Sequence, residues 1–219
     1  MIPAIIAPVI SRVDLFWRMV ASVDEPYGEL VVVDQAASMK PIGYAGAINF
    51  GIGQTPGAPW WLFVSGDVTF GRGDLAEITR LIESASGPAF VTGDRSDDRL
   101  LRCAYGAVNL AAIEAIGLFD EWAFYPAYFE DDDWEHRCRL GGVEWIEYNG
   151  HIEHERSSTI RSNPQWAERN RETFAMNRQN YIKKWGGAPG SETFSTPYDL
   201  PVPLCFTRPD PAGRAARKW

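Results

Sequence analysis

The chain has 219 residues and a formal net charge of −8, with 45% hydrophobic and 23% charged residues. That length holds one domain with room for a sizeable core, and the composition excludes a fibrous or disordered chain. Acidic side chains concentrate in residues 1–160 while residues 161–219 are net basic, so the body disfavours nonspecific nucleic-acid binding, whose affinity comes largely from neutralising phosphates.

The longest uncharged run, residues 41–66, matches a membrane span in length, but its glycines and the TPGAP break at Thr55–Pro59 argue against a transmembrane segment. The apolar N-terminus MIPAIIAPVIS lacks a basic leader and meets Arg12 too soon for a secretory signal. Cys103, Cys138 and Cys205 are widely separated, without the spacing of a zinc or redox motif. The expectation is a soluble, cytoplasmic protein with reduced thiols.

In chain order, residues 2–10 are an apolar strand, residues 14–23 a helix, and Leu30–Val33 a continuous apolar run of the kind seen in buried parallel strands. Strand, helix and strand ending in Asp34 form a βα unit, whose C-terminal strand edge is where open α/β sheets bind ligand. Residues 59–68, PWWLFVSGDV, read as a further buried strand running into a polar tip. The spacing of Leu75, Ile78, Leu81 and Ile82 predicts a helix over 74–84, stopped by Gly87–Pro88, and a short strand follows at 89–92. Residues 93–99, GDRSDDR, are expected to be a mobile loop, and residues 103–117 end in a helix that stops at Gly117.

The next stretch, residues 118–142, carries an aromatic run that ends in four consecutive carboxylates, Glu130, Asp131, Asp132 and Asp133. Acidic groups suit the first turn of a helix, where N–H groups are unpaired and the dipole is positive. A plain solvated helix start is therefore one reading. Trp122, Phe124, Tyr125, Tyr128 and Phe129 directly before the acids suit a sugar or a base better than open water, and favour a binding site. Beyond it, residues 143–148 alternate as a strand with one polar face. His151 and His154 follow, and Asn163–Pro164 opens a helix of about twenty residues that Gly186–Gly187 ends. The basic side chains of that helix read mostly as a solvated face, the rest helping to hold the acidic body. Residues 188–219 hold six of the fifteen prolines and are expected to be an extended tail.

The ordered block GLFDE, YFEDDDW and RCRLGG resembles that of inverting family 2 glycosyltransferases of the GT-A fold. The likeness covers about residues 3–187, and the opening PVISRVDL, the run VVVDQA, the segment GYAGAINFGI and the ending NRQNYIKKWGG add to it. The resemblance implies an α/β fold with a Rossmann-like, mostly parallel sheet flanked by helices. A domain over 1–187 would be followed by a Pro-rich tail over 188–219, through which homo-oligomers could form.

The resemblance further implies transfer of a sugar from a UDP-, GDP- or dTDP-linked donor to a glycan, lipid or protein acceptor, with Mn2+ or Mg2+ as cofactor. Asp131 takes the place of the family's general base, with Glu130 setting its geometry. Pro8, Ser11, Asp34, Gly43, Asn49, Ser65 and Asp67 match donor-binding positions. The tip SGDV resembles the family's D-x-D motif, with Asp67 as metal ligand and Gly66 where an acid is frequent. His154, with Ser157 or Ser158 after it, best matches the family's metal-binding His, and His151 is the alternative. Trp122 and Tyr125 are candidate acceptor contacts. Two other readings remain at this stage. One is a nucleotidyltransferase, although no Gly-rich, Arg- and Lys-bearing loop follows the first strand. The other is a non-catalytic sugar-binding or assembly protein on the same fold.

Overall fold

The computed structural model describes residues 1–35, 41–94, 96, 101–156 and 158–200. The elements run β1 (Ile2–Val9), α1 (Val13–Ala21), β2 (Tyr27–Asp34), α2 (Gly43–Gln54), β3 (Trp60–Val64), β4 (Val68–Thr69), α3 (Asp74–Ser84), β5 (Ala89–Thr92), β6 (Tyr105–Asn109) and α4 (Leu110–Ile116). They continue with α5 (Glu130–Gly141), β7 (Glu144–Glu147), β8 (Glu153–His154), α6 (Ser158–Ser162) and α7 (Pro164–Trp185), and a 3-10 turn at Pro197–Asp199.

Six strands form one sheet in the order β2-β1-β3-β6-β5-β7, in which β6 alone runs against the others; β4 and β8 pair separately. The sheet is therefore mostly parallel, as expected, and helices cover both faces. Alternation along β1 divides the core in two. Ile5, Ala7 and Val9 pack with Phe16 and Met19 of α1 and Leu75, Ile78 and Ile82 of α3. Ala4 and Ile6 turn to the other face, onto Ile48 and Ile52 of α2, Ile116 of α4 and Trp134 of α5. On that face Gly51 lies against Ile6, where an added Cβ would come within 2.4 Å of Cγ2, so the helix sits flat on the strand because this residue has no side chain.

One expectation needs correction. The run Leu30–Val33 reads as a buried parallel strand, yet β2 is the edge of the sheet, and of these four residues only Val33 is buried. An apolar run reports β-structure but not its place in the strand order, which tertiary pairing decides. The expected mobile loop at residues 93–99 falls mainly outside the described residues, as do residues 201–219 of the tail with Cys205 and any oligomer contact made there. Residues 188–200 turn back on the body: the N–H groups of Thr193 and Phe194 both donate to the Trp185 carbonyl at 3.0 Å. Among the described residues no helix is long and apolar enough to cross a membrane.

A third, smaller core ties α7 to the acidic block, with Phe124 and Phe129 against Tyr181 and Trp185. Asn163 caps α7, accepting from the N–H groups of Gln165 and Trp166. The face of α7 that meets the block carries donors: Asn177 Nδ2 to the Ala127 carbonyl (2.8 Å) and Asn180 Nδ2 to the Ala123 carbonyl (2.8 Å). Lys184, unlike most basic side chains of this helix, is buried, with Nζ 2.8 Å from Asp120 and 2.7 Å from the fully buried Asp133. Removing one partner of a buried ion pair leaves a desolvated charge and typically costs about 3–5 kcal/mol. Lys184→Met should therefore lower the unfolding free energy by about 3 kcal/mol in urea denaturation, with Trp185 and Arg137 left as partners of Asp133.

Candidate active site

The C-terminal ends of β1 and β3 open into a cavity of about 540 Å³, within the roughly 300–1,000 Å³ range of small-molecule sites. This is where an open α/β sheet presents ligand-binding groups. Pro8, Ser11 and Arg12 line it from the end of β1, and Ser65, Gly66 and Asp67 from the end of β3. Tyr44 of α2, Arg102, the segment Pro126–Tyr128 and Glu130 with Asp131 at the start of α5 form the next wall. His154, Arg156, Ser158, Trp166 and Asn170 close the remaining side.

The β4–β8 ladder aligns Val68 with His154, and the N–H of Glu155 donates to the Asp67 carbonyl at 3.0 Å. His154 Nε2 thereby lies 3.4 Å from Asp67 Oδ1, while Ser158 Oγ donates to Asp67 Oδ2 at 2.7 Å. Burial pushes the Asp67 carboxyl up, but the hydrogen bonds from His154 and Ser158 outweigh it and the group sits below its ordinary value. An ionised carboxylate and an imidazole, both facing the cavity, are a two-donor set for a divalent cation. Among the described residues no three His, Cys, Asp or Glu side chains gather into a metal cluster, so these two would leave coordination positions open. His151 stands apart, 89% exposed and 4.0 Å from Asp74.

The four carboxylates at the start of α5 point to different environments. Glu130 is buried, lines the cavity, and its Oε2 has no hydrogen-bond partner. Burial, and then Asp131, raise this carboxyl well above the ordinary range. Asp131 remains 30% exposed at the cavity; loss of water and the adjacent Asp132 raise it, while Arg102 lowers it. Asp132 meets Arg102 at 2.7 Å, and Asp133 turns inward to Lys184, Trp185 and Arg137. Tyr44 completes the wall, its hydroxyl donating to the Cys103 carbonyl at 2.8 Å and accepting from Ser65 Oγ at 3.2 Å.

The cavity thus gathers Pro8, Ser11, Ser65, Asp67, Glu130, Asp131 and His154 from the sequence-derived candidates. Five others are placed elsewhere. Asp34 is exposed at the end of β2, beside Val9 of the cavity wall. Gly43, at φ 77°, lets Pro126 approach: a Cβ there would meet the Pro126 carbonyl oxygen at 2.7 Å. Asn49 exchanges hydrogen bonds with the Phe119 backbone, at 2.9 and 3.1 Å, and reaches Glu121. Trp122 is half exposed, and Tyr125 lies under the Arg169 guanidinium at 5.0 Å. Arg102, Tyr44, Trp166 and Asn170 are cavity residues that the motifs did not single out. For the last two a signal existed, since positions 166 and 170 share a helix face.

No protein-family model and no curated protein matches the sequence. Solved structures do match. Glucosyl-3-phosphoglycerate synthase from Mycobacterium tuberculosis, in complex with Mn2+, UDP and phosphoglyceric acid, superposes with a TM-score of 0.57 at 13% identity, over 82% of this chain and 78% of that one. A mannosyltransferase from Pyrobaculum calidifontis, in complex with GDP-Man and Mn2+, gives 0.59 at 16% identity over 85% and 65%. A glycosyltransferase involved in glycosylation of the major capsid of PBCV-1 gives 0.51 at 13% identity over 80% and 100%. The chain has the GT-A fold. Within this GT-A domain the block at 118–133 faces the cavity at its last residues, and the rest serves to hold them.

Glu130 gives a signed test. An unfolded Glu loses its proton near pH 4.3, whereas folded Glu130 keeps it to higher pH. Between those values the folded state binds the extra proton, so this group's stabilising contribution is complete below about pH 4.3 and is lost as pH rises. Glu130→Gln does not titrate. Its melting temperature relative to the wild type should climb from pH 4 to 7, by up to about 3 °C per pH unit, in differential scanning fluorimetry; a flat difference would contradict the raised carboxyl.

Proposed function

We propose that the protein is an inverting glycosyltransferase that moves a sugar from a nucleotide-sugar donor to an acceptor hydroxyl, with Asp131 as general base. The observation that carries this reading is the convergence of Asp67, His154 and Asp131, distant in sequence, on one cavity at the ends of β1 and β3. The likeness to solved glycosyltransferases supports it through the fold.

Asp67 and His154 would hold a divalent ion, and a bound Mn2+ or Mg2+ would offset charge on the departing diphosphate as a Lewis acid. Pro8 and Ser11, with Asp34 at the neighbouring strand end, would contact the nucleoside. Asp131 would accept the acceptor's hydroxyl proton while that oxygen bonds to C1 and the bond from C1 to the diphosphate oxygen breaks. A positioned base of this kind typically contributes about 10²–10⁴-fold. Because attack comes from the face opposite the leaving group, the anomeric configuration inverts. Tyr128, Trp166 and Asn170 line the same cavity as Asp131 and would meet the acceptor, whereas Trp122 and Tyr125 are not among its lining residues. The free, buried Cys103 and Cys138 suit the reducing cytoplasm.

Thermal-shift titration with UDP-, GDP- and dTDP-sugars, with and without manganese, identifies the donor, since a ligand raises stability according to its concentration over Kd. Asp131→Asn should then cut transfer, or slow hydrolysis of that donor, by about 10²-fold or more while nucleotide affinity stays within a few-fold. Wild-type turnover in this variant rejects the base. His154→Ala should abolish the manganese-dependent part of nucleotide binding; an unchanged manganese response removes His154 from the site.

A further inference from the structure

Arg102 is the one cavity residue that no motif accounts for and that touches the reacting carboxylate of the proposed mechanism. Its side chain is 10% exposed and sits between three acids of α5. One guanidinium nitrogen reaches Asp132 at 2.7 Å and Asp131 at 3.2 Å, and the other bonds Glu135. The backbone beneath it is fixed: Arg102 bridges to Tyr105 at the start of β6, and the N–H of Cys103 donates to Thr92 Oγ1 at 2.9 Å. The contact to Asp131 is the longest of the three, so the guanidinium is oriented chiefly by Asp132 and Glu135 and leaves Asp131 open toward the cavity.

We propose that Arg102 is a positioning residue for the proposed transfer: braced on Asp132 and Glu135, it orients the Asp131 carboxyl toward the cavity and is the positive charge beside it that favours its ionised form. The need for such a cation follows from the surroundings. Among the described residues, the groups that interact with Asp131 include Glu130 and Asp132 on α5, and Arg102 and Cys103 ahead of β6, while Tyr44, Tyr128, Asp67, His154 and Arg156 line the same cavity. Burial disfavours the anion and Asp132 repels it, and Arg102 is the cation that favours it. Burial works equally against the charge on Arg102, but Asp131 and Asp132 keep it protonated. An acid held neutral at physiological pH cannot accept the acceptor's proton, so the base would fail while the donor still bound. The fork geometry matters too, since a guanidinium presents paired donors that an ammonium lacks.

This inference rests on the glycosyltransferase reading, and its first readout is independent of activity. With ¹³C-labelled aspartate, the Asp131 carboxyl resonance is identified by its loss in Asp131→Asn and titrated in the full chain. An opposite charge at this distance is worth about 1–3 pH units. In Arg102→Gln the Asp131 midpoint should rise by at least about one unit, in Arg102→Lys by less, and in Asp132→Asn it should fall. In the donor assay the acidic limb of the kcat/KM profile should move with the resonance, so that Arg102→Gln loses about tenfold or more at neutral pH and regains rate in alkali. An unmoved Asp131 midpoint in Arg102→Gln overturns the proposal, as does a rate loss equal at every pH with weakened nucleotide binding, which would make Arg102 a donor contact. If Arg102→Gln does not fold, Arg102→Lys and Asp132→Asn must still shift the midpoint in opposite directions, and a failure of either is equally fatal. A shifted resonance without any sugar transfer would count against the proposed activity and leave the role of Arg102 standing.

Discussion

The rotation of α5 about its own axis is the constraint on which the site depends, and Asp133 sets it. A carboxylate with no exposed surface is tolerated only when charged and hydrogen-bonding partners replace its water. Asp133 has Lys184 at 2.7 Å, the Trp185 indole N–H at 2.8 Å and Arg137 one turn on at 2.9 Å. With this side chain locked inward, the helix repeat of 3.6 residues turns its neighbours about 100° apart. Asp132 then meets Arg102, Asp131 opens to the cavity, and Glu130 enters the wall. Four consecutive acidic side chains are thereby sorted into four electrostatic environments by one buried contact.

The same contact binds α7 to the block before α5. That block is costly to hold, because Tyr128 and Phe129 both adopt left-handed backbone angles, φ 75° and 74°, which side chains with a Cβ disfavour. Asn177 and Asn180 restrain it from α7 through carbonyls at 127 and 123, and Phe124 and Phe129 pack on Tyr181 and Trp185. Asn49 does the corresponding work from α2, through the backbone of Phe119. Glu192, beyond the end of α7, accepts from the Tyr181 hydroxyl and from the N–H of Gly190, so the described part of the C-terminal segment stiffens the brace. The cavity's chemical face is small, and most of the recognisable block is scaffold for it.

This division explains what the sequence disclosed. Helix α3 was legible because it has one apolar period and a clear stop, α7 because Asn163–Pro164 starts it and Gly186 ends it, and β5 because a short apolar run follows the Gly87–Pro88 break. The carboxylate run announced a helix start, and the α/β order announced the side of the sheet that binds. Strand order was not legible, which is why β2 reads as buried and lies at the edge, with only Val33 of its apolar run buried. Among the candidate residues, those at the ends of β1 and β3 and at the start of α5 reach the cavity, because backbone geometry puts them there, whereas Asp34 at the end of the edge strand β2 lies beside it. Gly43 and Asn49 carry the same family likeness, and Trp122 and Tyr125 the same aromatic placement before the acids, but they are spent on packing or exposed, a distinction that needs coordinates. Arg102 was invisible for a simpler reason: its meaning lies in Asp131, Asp132 and Glu135, some thirty residues away, and no period links them.

Charge balance joins fold to chemistry. A nucleoside diphosphate is an anion, and this chain carries −8 overall, so its long-range field opposes the donor and only local cations can offset it. Yet two of the three cavity guanidinium groups are already engaged, Arg12 with Asp14 at 2.7 Å and Arg102 with three carboxylates. Moving Arg102 toward a phosphate would release Asp131 into the repulsion of Asp132. Positive charge for the leaving group is then left to Arg156, which lines the cavity with His154 and Ser158, and to a cation held by the ionised Asp67 beside His154, neither of which draws Arg102 from the base. A divalent ion at Asp67 and His154 thus fits a helix that begins with four acidic side chains and the guanidinium committed to them.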